Sequence, residues 1–295
     1  MRVNEIVADS EGLSYSFEVF PQMNSRGRSI FDTVTDMSRL SPQFISVTYG
    51  AGGNGRGDLV RLCDHIESLG ITPLPHFTVV GHSEVEARNI LSRYRDHRFE
   101  NVLALRGDPP RGYRGPIDAL FHDFRYCSEL VEFISRGFDT CVGAAVYPEG
   151  RTDCSWEDNL RYSRLKESVG AEFFVSQLFF ENDHFQRFVE ESGLGVPVIP
   201  GILPIFGPRQ LEMARDLAGA HIPRRLAERV MRYRGDPESM RAAGIAYAAG
   251  QIVDLAERGF DFVHIFTLNR YRDTVDLLRE AGVPIDRTRE VGGKG

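Results

Sequence analysis

Eight short apolar, β-branched runs recur along this chain, most followed by a segment with helical spacing, and this alternation constrains the fold more than any other feature. The runs are YSFEVF (15–20), FISVTYG (44–50), TPLPHFTVV (72–80), NVLALRG (101–107), CVGAAVYP (141–148), FFVSQLFF (173–180), VPVIPGILP (196–204) and DFVHIFTLN (261–269). A strand with one wet face alternates apolar and polar residues. These runs are apolar at nearly every position, which predicts strands covered on both faces in a parallel sheet. Between them, Leu59, Leu62, Cys63 and Ile66 fall at helical spacing in 57–69. Ala119, Leu120, Phe124, Cys127, Leu130, Val131 and Ile134 do the same in 118–134, and further helix is predicted around 207–257. About eight β-then-α units in 295 residues predict an α/β fold, a single-domain (β/α)8 TIM barrel over 1–285, with an open doubly wound sheet as the competitor. Residues 286–295 read as a disordered polar tail.

Composition narrows the partners. Hydrophobic and charged fractions of 42% and 26% are those of a soluble globular protein. A net charge of −7 argues against nucleic acid, because phosphate-backbone affinity needs a cationic face. No apolar run approaches a membrane span of ~18 residues, and the N-terminal residues lack the apolar region of a signal peptide. The four cysteines are scattered without a C-x-x-C pair, so they read as reduced thiols of a cytoplasmic protein. No histidines stand at H-x-x-x-H or H-x-H spacing, so no metal is expected.

In a parallel barrel the carboxyl ends of all strands meet at one mouth. Those ends are Glu18, Thr48 with Tyr49, His76, Arg106 with Asp108, Tyr147 with Glu149, Gln177, and Asn269 with Arg270. Any one polar strand end is explained by solvation alone. Glu18 stands apart, because the flanking bulky residues of FEVF would desolvate its carboxyl and raise its pKa, which suits a general acid; a buried salt bridge to an arginine is the competing reading. Gln177, an amide in a dry strand, reads either as a structural hydrogen-bond partner or as a ligand contact. GAGGNG (50–55) matches G-x-G-x-x-G formally, but the next strand ends in Pro75-His76-Phe77-Thr78 rather than in the acid that would hold a ribose, so it reads as a glycine-rich loop.

Taken in order, eight strand-end segments resemble the bacterial 5,10-methylenetetrahydrofolate reductases, a flavin-dependent TIM-barrel family. They are FEVFP (17–21), SVTYGAGG (46–53), PHFT (75–78), LRGDPP (105–110), AAVYPEG (144–150), SQLFFEND (176–183), PGILP (200–204) and TLNR (267–270). The resemblance implies reduction of methylenetetrahydrofolate by NADH or NADPH through FAD, in ping-pong order. Glu18 would be the acid that opens the methylene bridge, and Asp108 the carboxylate between flavin and pterin. Thr48, Tyr49, Ala51, His76, Arg106, Gly107 and Tyr147 match flavin-lining positions. Gln177 and Arg270 match the folate-side residues. One segment departs: where the family continues His-Pro-Glu, this chain has Arg151-Thr152-Asp153, and the dinucleotide's tail is matched only by Asn159, Tyr162 and Lys166. Gln22 replaces a proline, and Phe266 an aromatic hydroxyl. Arg151 and Arg164 would compensate by pairing with the pyrophosphate.

The leading reading is therefore an FAD-dependent oxidoreductase of one-carbon metabolism, cytoplasmic and homo-oligomeric. The alternative keeps the barrel but weakens FAD binding, as in a divergent paralogue handling a folate C1 unit or needing a redox partner subunit. An adhesion protein presenting Arg106-Gly107-Asp108 is the third reading, and a reduced, acidic chain with prolines after Asp108 gives it little support.

Overall fold

The computed structural model describes residues 1–21, 29–49, 56–110 and 112–283, apart from the side chains of 56–58 and 216–218. The eight runs become β1 (Ser14–Val19), β2 (Phe44–Val47), β3 (Thr72–Thr78), β4 (Asn101–Leu105), β5 (Cys141–Val146), β6 (Phe173–Ser176), the short pair β7 (Val198–Ile199) and β8 (Gly201–Ile202), and β9 (Phe262–Phe266). All pair in parallel, in the order β7-β6-β5-β4-β3-β2-β1-β9-β8. β7 and β8 are two halves of one strand, divided at Pro200, which has no N–H to give a ladder. The Pro200 carbonyl still accepts from His264 N–H at 2.8 Å. The two ends of the row are thus one strand, and the sheet closes into an eight-position barrel rather than an open sheet.

Helices follow each strand: α2 (Ile30–Ser38), α3 (Arg56–Ser68), α4 (Glu84–Asp96), α5 (Cys127–Gly137), α6 (Trp156–Ser168), α7 (Asn182–Ser192) and, after β9, α11 (Tyr271–Glu280). The seventh unit carries three, α8 (Pro208–Ala218), α9 (Arg224–Arg232) and α10 (Pro237–Glu257), where the sequence predicted helix around 207–257. The predicted helix over 118–134 is broken. A single 3-10 turn covers Ile117–Leu120, Phe121 is extended, and α5 starts only at Cys127. Glu129 explains the late start: its carboxylate accepts from the N–H groups of Arg125 and Tyr126, at 2.7 and 2.9 Å, and so caps the helix there.

Successive side chains along each strand point to opposite faces. Outward residues such as Phe17, Val19, Ile45, Val47 and Phe77 pack beneath the helices with Val34, Met37, Leu59 and Cys63. Inward residues at the amino ends of the strands, Phe44, Leu74, Leu103, Cys141, Phe173 and Phe262, form a separate inner core. A short helix that the sequence did not announce, α1 (Val3–Ala8), closes that end by burying Val3 and Ile6 in it. Val3 N–H donates to Asn101 Oδ1 at 2.8 Å, pinning α1 to the start of β4. With the bottom filled by hydrocarbon, only the carboxyl-end mouth is left for polar chemistry.

Candidate active site

Above the inner core lies a polar tier. Ser16 on β1, Ser46 on β2, His76 on β3 and His264 on β9 are buried there. His264 Nδ1 lies 2.7 Å from Ser16 Oγ and its Nε2 3.2 Å from Ser46 Oγ, so both ring nitrogens are engaged. Burial lowers the His76 pKa to about 3, and burial together with the neighbouring His76 does the same for His264. Both rings are neutral at any ordinary pH.

Glu18 stands one step further up β1, at the level where the barrel opens. Its side chain is 13% exposed and its Oε2 lies 3.8 Å from His76 Nε2. Burial pushes the carboxyl up to about 8. The competing reading of Glu18, a salt bridge to an arginine, is not what forms among the described residues: the neighbour is a neutral imidazole. The segment after Glu18 is clamped from β9. Thr267 Oγ1 donates to the Glu18 carbonyl at 2.6 Å. The Asn269 side chain both accepts from Phe20 N–H and donates to the Phe20 carbonyl, each at 2.9 Å, so it continues the ladder in place of a strand. Leu268 and Asn269 adopt left-handed backbone (φ 52° and 56°) to bring this about. The polar strand end at Asn269 is therefore explained by construction of the mouth.

Next around the mouth, Thr48 N–H donates to the Val19 carbonyl, and Thr48 and Tyr49 are half-buried. The ring of Tyr49 is held by His82, which stands beyond the end of β3. His82 Nδ1 lies 2.9 Å from the Thr78 carbonyl, which can only accept, so Nδ1 carries the hydrogen and Nε2 accepts from Tyr49 Oη at 2.9 Å. Gly107, with φ +82°, turns the chain where β4 leaves the barrel; a Cβ there would come within 2.8 Å of Thr78 Cβ. Only glycine allows both that turn and that approach. The turn leaves Asp108 exposed and Arg106 partly so.

Arg106, Asp108, Tyr147 and Arg151 are brought into one electrostatic neighbourhood. Burial raises the Tyr147 hydroxyl, while Arg151 and Arg106 oppose the rise and Asp108 adds to it. The Arg151 guanidinium lies 5.3 Å from the centre of the Tyr147 ring. It forms a two-pronged pair with Asp153, at 2.8 and 2.5 Å, and Asp153 also stands 4.0 Å from Arg106. The bond to Arg151 holds the Asp153 carboxyl below its usual range.

The remaining predicted residues divide. Asn159 and Lys166 are buried on the inner face of α6 and face β5: Asn159 Nδ2 donates to the Tyr147 carbonyl at 3.0 Å and Lys166 Nζ to that of Ala145. Burial lowers the Lys166 ammonium. Tyr162 lies at the exposed edge of α6 beside Arg161 and is not brought to the mouth by any described contact. Arg164 bonds to the Ser192 carbonyl. Gln177 is half-buried past the end of β6, with its Oε1 accepting from Leu178 N–H at 3.0 Å. Arg270 pairs with Asp273 and lies 4.1 Å over the Phe206 ring. Ala51, Gln22 and the 50–55 glycine loop fall outside the described residues, as does the tail from 286. Cavities of about 430 and 630 Å³ among α7, α9, α10 and α11 are lined by none of the predicted site residues.

Chemically, the mouth offers a carboxyl raised by burial beside a neutral imidazole, the Tyr147 hydroxyl, an exposed carboxylate at Asp108, and two arginines sharing Asp153. Among the described residues no group of three or more histidines, cysteines or acids is arranged to hold a metal, and no helix is long and apolar enough to cross a membrane. A family model described as methylenetetrahydrofolate reductase matches residues 2–282. The 5,10-methylenetetrahydrofolate reductase of Escherichia coli is 28% identical over 288 residues, 95% of each chain. Methylenetetrahydrofolate reductase (NADH) 1 of Arabidopsis thaliana is 26% identical over 96% of this chain and 50% of its own length. A solved structure of a Clostridium thermocellum protein that binds two copies of 5-methyl-5,6,7,8-tetrahydrofolic acid shares the fold, with a TM-score of 0.65 at 14% identity over 95% of this chain and 97% of that one.

Proposed function

The chain belongs to the methylenetetrahydrofolate reductase family, and from that premise we propose that it reduces 5,10-methylenetetrahydrofolate to 5-methyltetrahydrofolate with NADH or NADPH as electron donor and FAD as cofactor. The observation that carries this reading is the acid. Opening the methylene bridge requires a proton on the folate amine nitrogen, from a group protonated at neutral pH. An ordinary glutamic acid with pKa 4.5 is about 0.3% protonated at pH 7, whereas Glu18, raised to about 8, is about 90% protonated. The same burial keeps His76 neutral, so the acid is not drained into an ion pair.

FAD, when bound, supplies a two-electron carrier between nucleotide and folate. The donor set at the mouth fits such a group. Arg106 and Arg151 suit a diphosphate, Tyr49 and Tyr147 suit a flat ring, and the sharp turn at Gly107 brings backbone close to the site. In this reading Thr48, Tyr49, Ala51, Arg106, Gly107 and Tyr147 line the ring, with His76 buried behind Glu18, and Arg151 meets the tail, while Tyr162 stays apart at the exposed edge of α6. Asp108, Gln177 and Arg270 orient the folate, while Glu18 delivers the proton. Asn159 and Lys166 support the tail region by fixing α6 against β5 rather than by reaching outward.

A second reading, weakened FAD binding, draws on one observation: Arg151 is already neutralised by Asp153. One assay separates the two. The purified protein is given methylenetetrahydrofolate with NADH or NADPH, with and without added FAD, and 5-methyltetrahydrofolate is measured by mass spectrometry. Product without added FAD is expected, and Glu18→Gln abolishes it. Product only with added FAD favours the second reading, and none under any condition overturns both.

A further inference from the structure

The acid at the mouth has a partner that no hydrogen bond in the structure accounts for. His76 is 4% exposed, and its Nε2 is a fully buried nitrogen without a hydrogen-bond partner among the described residues. An unpaired buried nitrogen is costly, and such atoms are rare in folded proteins. Glu18 Oε2 stands 3.8 Å from it. That distance is too long for a bond, but a swing of the carboxyl by about 0.7 Å brings it within range. Among the described residues the neighbouring polar side chains are already engaged. Ser16 and Ser46 are taken by His264, and the β9 position paired with Glu18 is Phe266. No charged side chain among the described residues acts on the carboxyl.

We propose that His76 is the positioning residue of the acid: its Nε2–H donates to Glu18 Oε2, which places the acid proton on Oε1, toward the mouth. As the proton leaves for the folate nitrogen, the same N–H steadies the carboxylate left behind. The imidazole neither gains nor loses a proton. It fixes which carboxyl oxygen carries one, and its neutrality, ensured by burial, keeps the two groups from exchanging charge. The role as acid rests on the reductase reading above, whereas the His76–Glu18 bond itself can be tested without turnover.

The test uses infrared titration of the purified, FAD-supplemented protein. The carboxylic C=O band present in wild type and absent from Glu18→Gln reports Glu18 alone. Burial alone puts this carboxyl at about 8, so with the His76 N–H bonded to it the band should be lost below pH 8 in wild type. In His76→Met, which has comparable volume and no donor, the midpoint should rise by about one to two pH units, because a donor to the charged form has been lost. His76→Gln, which keeps an N–H, should fall back toward wild type. A His76→Met midpoint equal to or below that of wild type overturns the proposal, and so does a His76→Gln midpoint shifted as far as His76→Met. Nitrogen NMR of histidine-labelled wild type, with His76 assigned from its absence in His76→Gln, tests the point without relying on the methionine variant. A neutral ring bearing hydrogen on Nε2 is expected, and a bare Nε2 overturns the proposal. Shifted infrared midpoints in a protein that makes no 5-methyltetrahydrofolate would keep the His76–Glu18 bond and reject the reductase reading.

Discussion

Glu18, His76 and His264, buried together in the barrel, each add a pH-dependent contribution to stability whose sign follows from the structure. Glu18 moves from an ordinary 4.5 to about 8 on folding, so the folded state holds its proton more tightly than the unfolded chain does. Its contribution is fully present below pH 4.5 and is lost as pH rises toward 8. His76 and His264 move the opposite way, from 6.5 to about 3. Their contribution is fully present above pH 6.5 and is lost on acidification toward 3. Each group changes stability by about 1.4 kcal/mol per pH unit inside its window. Between pH 4.5 and 6.5 the two histidines outweigh Glu18 and stability climbs. Above 6.5 only Glu18 of the three still acts, and its contribution falls by about 2 kcal/mol by pH 8. The sum of these three contributions peaks near pH 6.5. Glu18→Gln removes the descending arm and steepens the acid arm between 4.5 and 6.5. Urea denaturation at half-unit steps from pH 5 to 8.5 measures both curves. Wild-type and Glu18→Gln curves that stay parallel between pH 6.5 and 8 would refute the assignment of a raised carboxyl to this position.

Three further substitutions probe the frame around the site. Gly244 in α10 faces the loop after β8, and a Cβ there would lie 1.5 Å from the Ile205 carbonyl oxygen. Gly244→Ala should destabilise by about 3 kcal/mol or more, since backbone cannot yield as a side chain does, and a melting temperature within a degree of wild type would contradict this. Asn269→Ala removes both bonds to Phe20 and leaves alanine at positive φ, so a loss of about 2–3 kcal/mol in denaturation is expected; a neutral result would mean the clamp is dispensable. Asp153→Asn frees Arg151 and should tighten FAD binding on the order of two- to fivefold, read from flavin fluorescence, whereas unchanged or weaker binding would show that Arg151 does not face the cofactor.

Much of this architecture was legible because periodicity reports burial directly. Strands covered on both faces read as unbroken apolar runs, whereas their count leaves an open doubly wound sheet in contention, and closure rests on β7 and β8 sharing one strand position. Over 118–134 the apolar spacing continues across Phe121, but the helix does not, because Glu129 caps the backbone from inside the next helix. α1 left no comparable trace, since six residues with two buried side chains make no period. At the site, the dry setting of Glu18 was visible in its phenylalanine and valine neighbours, but its partner was not. His76 lies on β3, and the pairing of both β1 and β3 with β2 brings the two side chains together. The inward face of α6 was available in the spacing of Asn159, Ser163 and Lys166, three buried polar residues that share one side of the helix. His82 carried a local signal too, standing directly before the Ser83–Glu86 capping box that opens α4.

The central claim is that electrons pass from a nicotinamide nucleotide to a folate through a flavin held at this mouth, with Glu18 needed only for the second transfer. Anaerobic visible spectroscopy of the freshly purified protein tests it most directly. The account predicts a bound-flavin spectrum that bleaches on adding NADH or NADPH and returns on adding 5,10-methylenetetrahydrofolate. In Glu18→Gln the bleaching should persist and the return should fail. A protein that neither carries nor takes up FAD, or a Glu18→Gln variant that is reoxidised by folate as fast as wild type, would contradict the account.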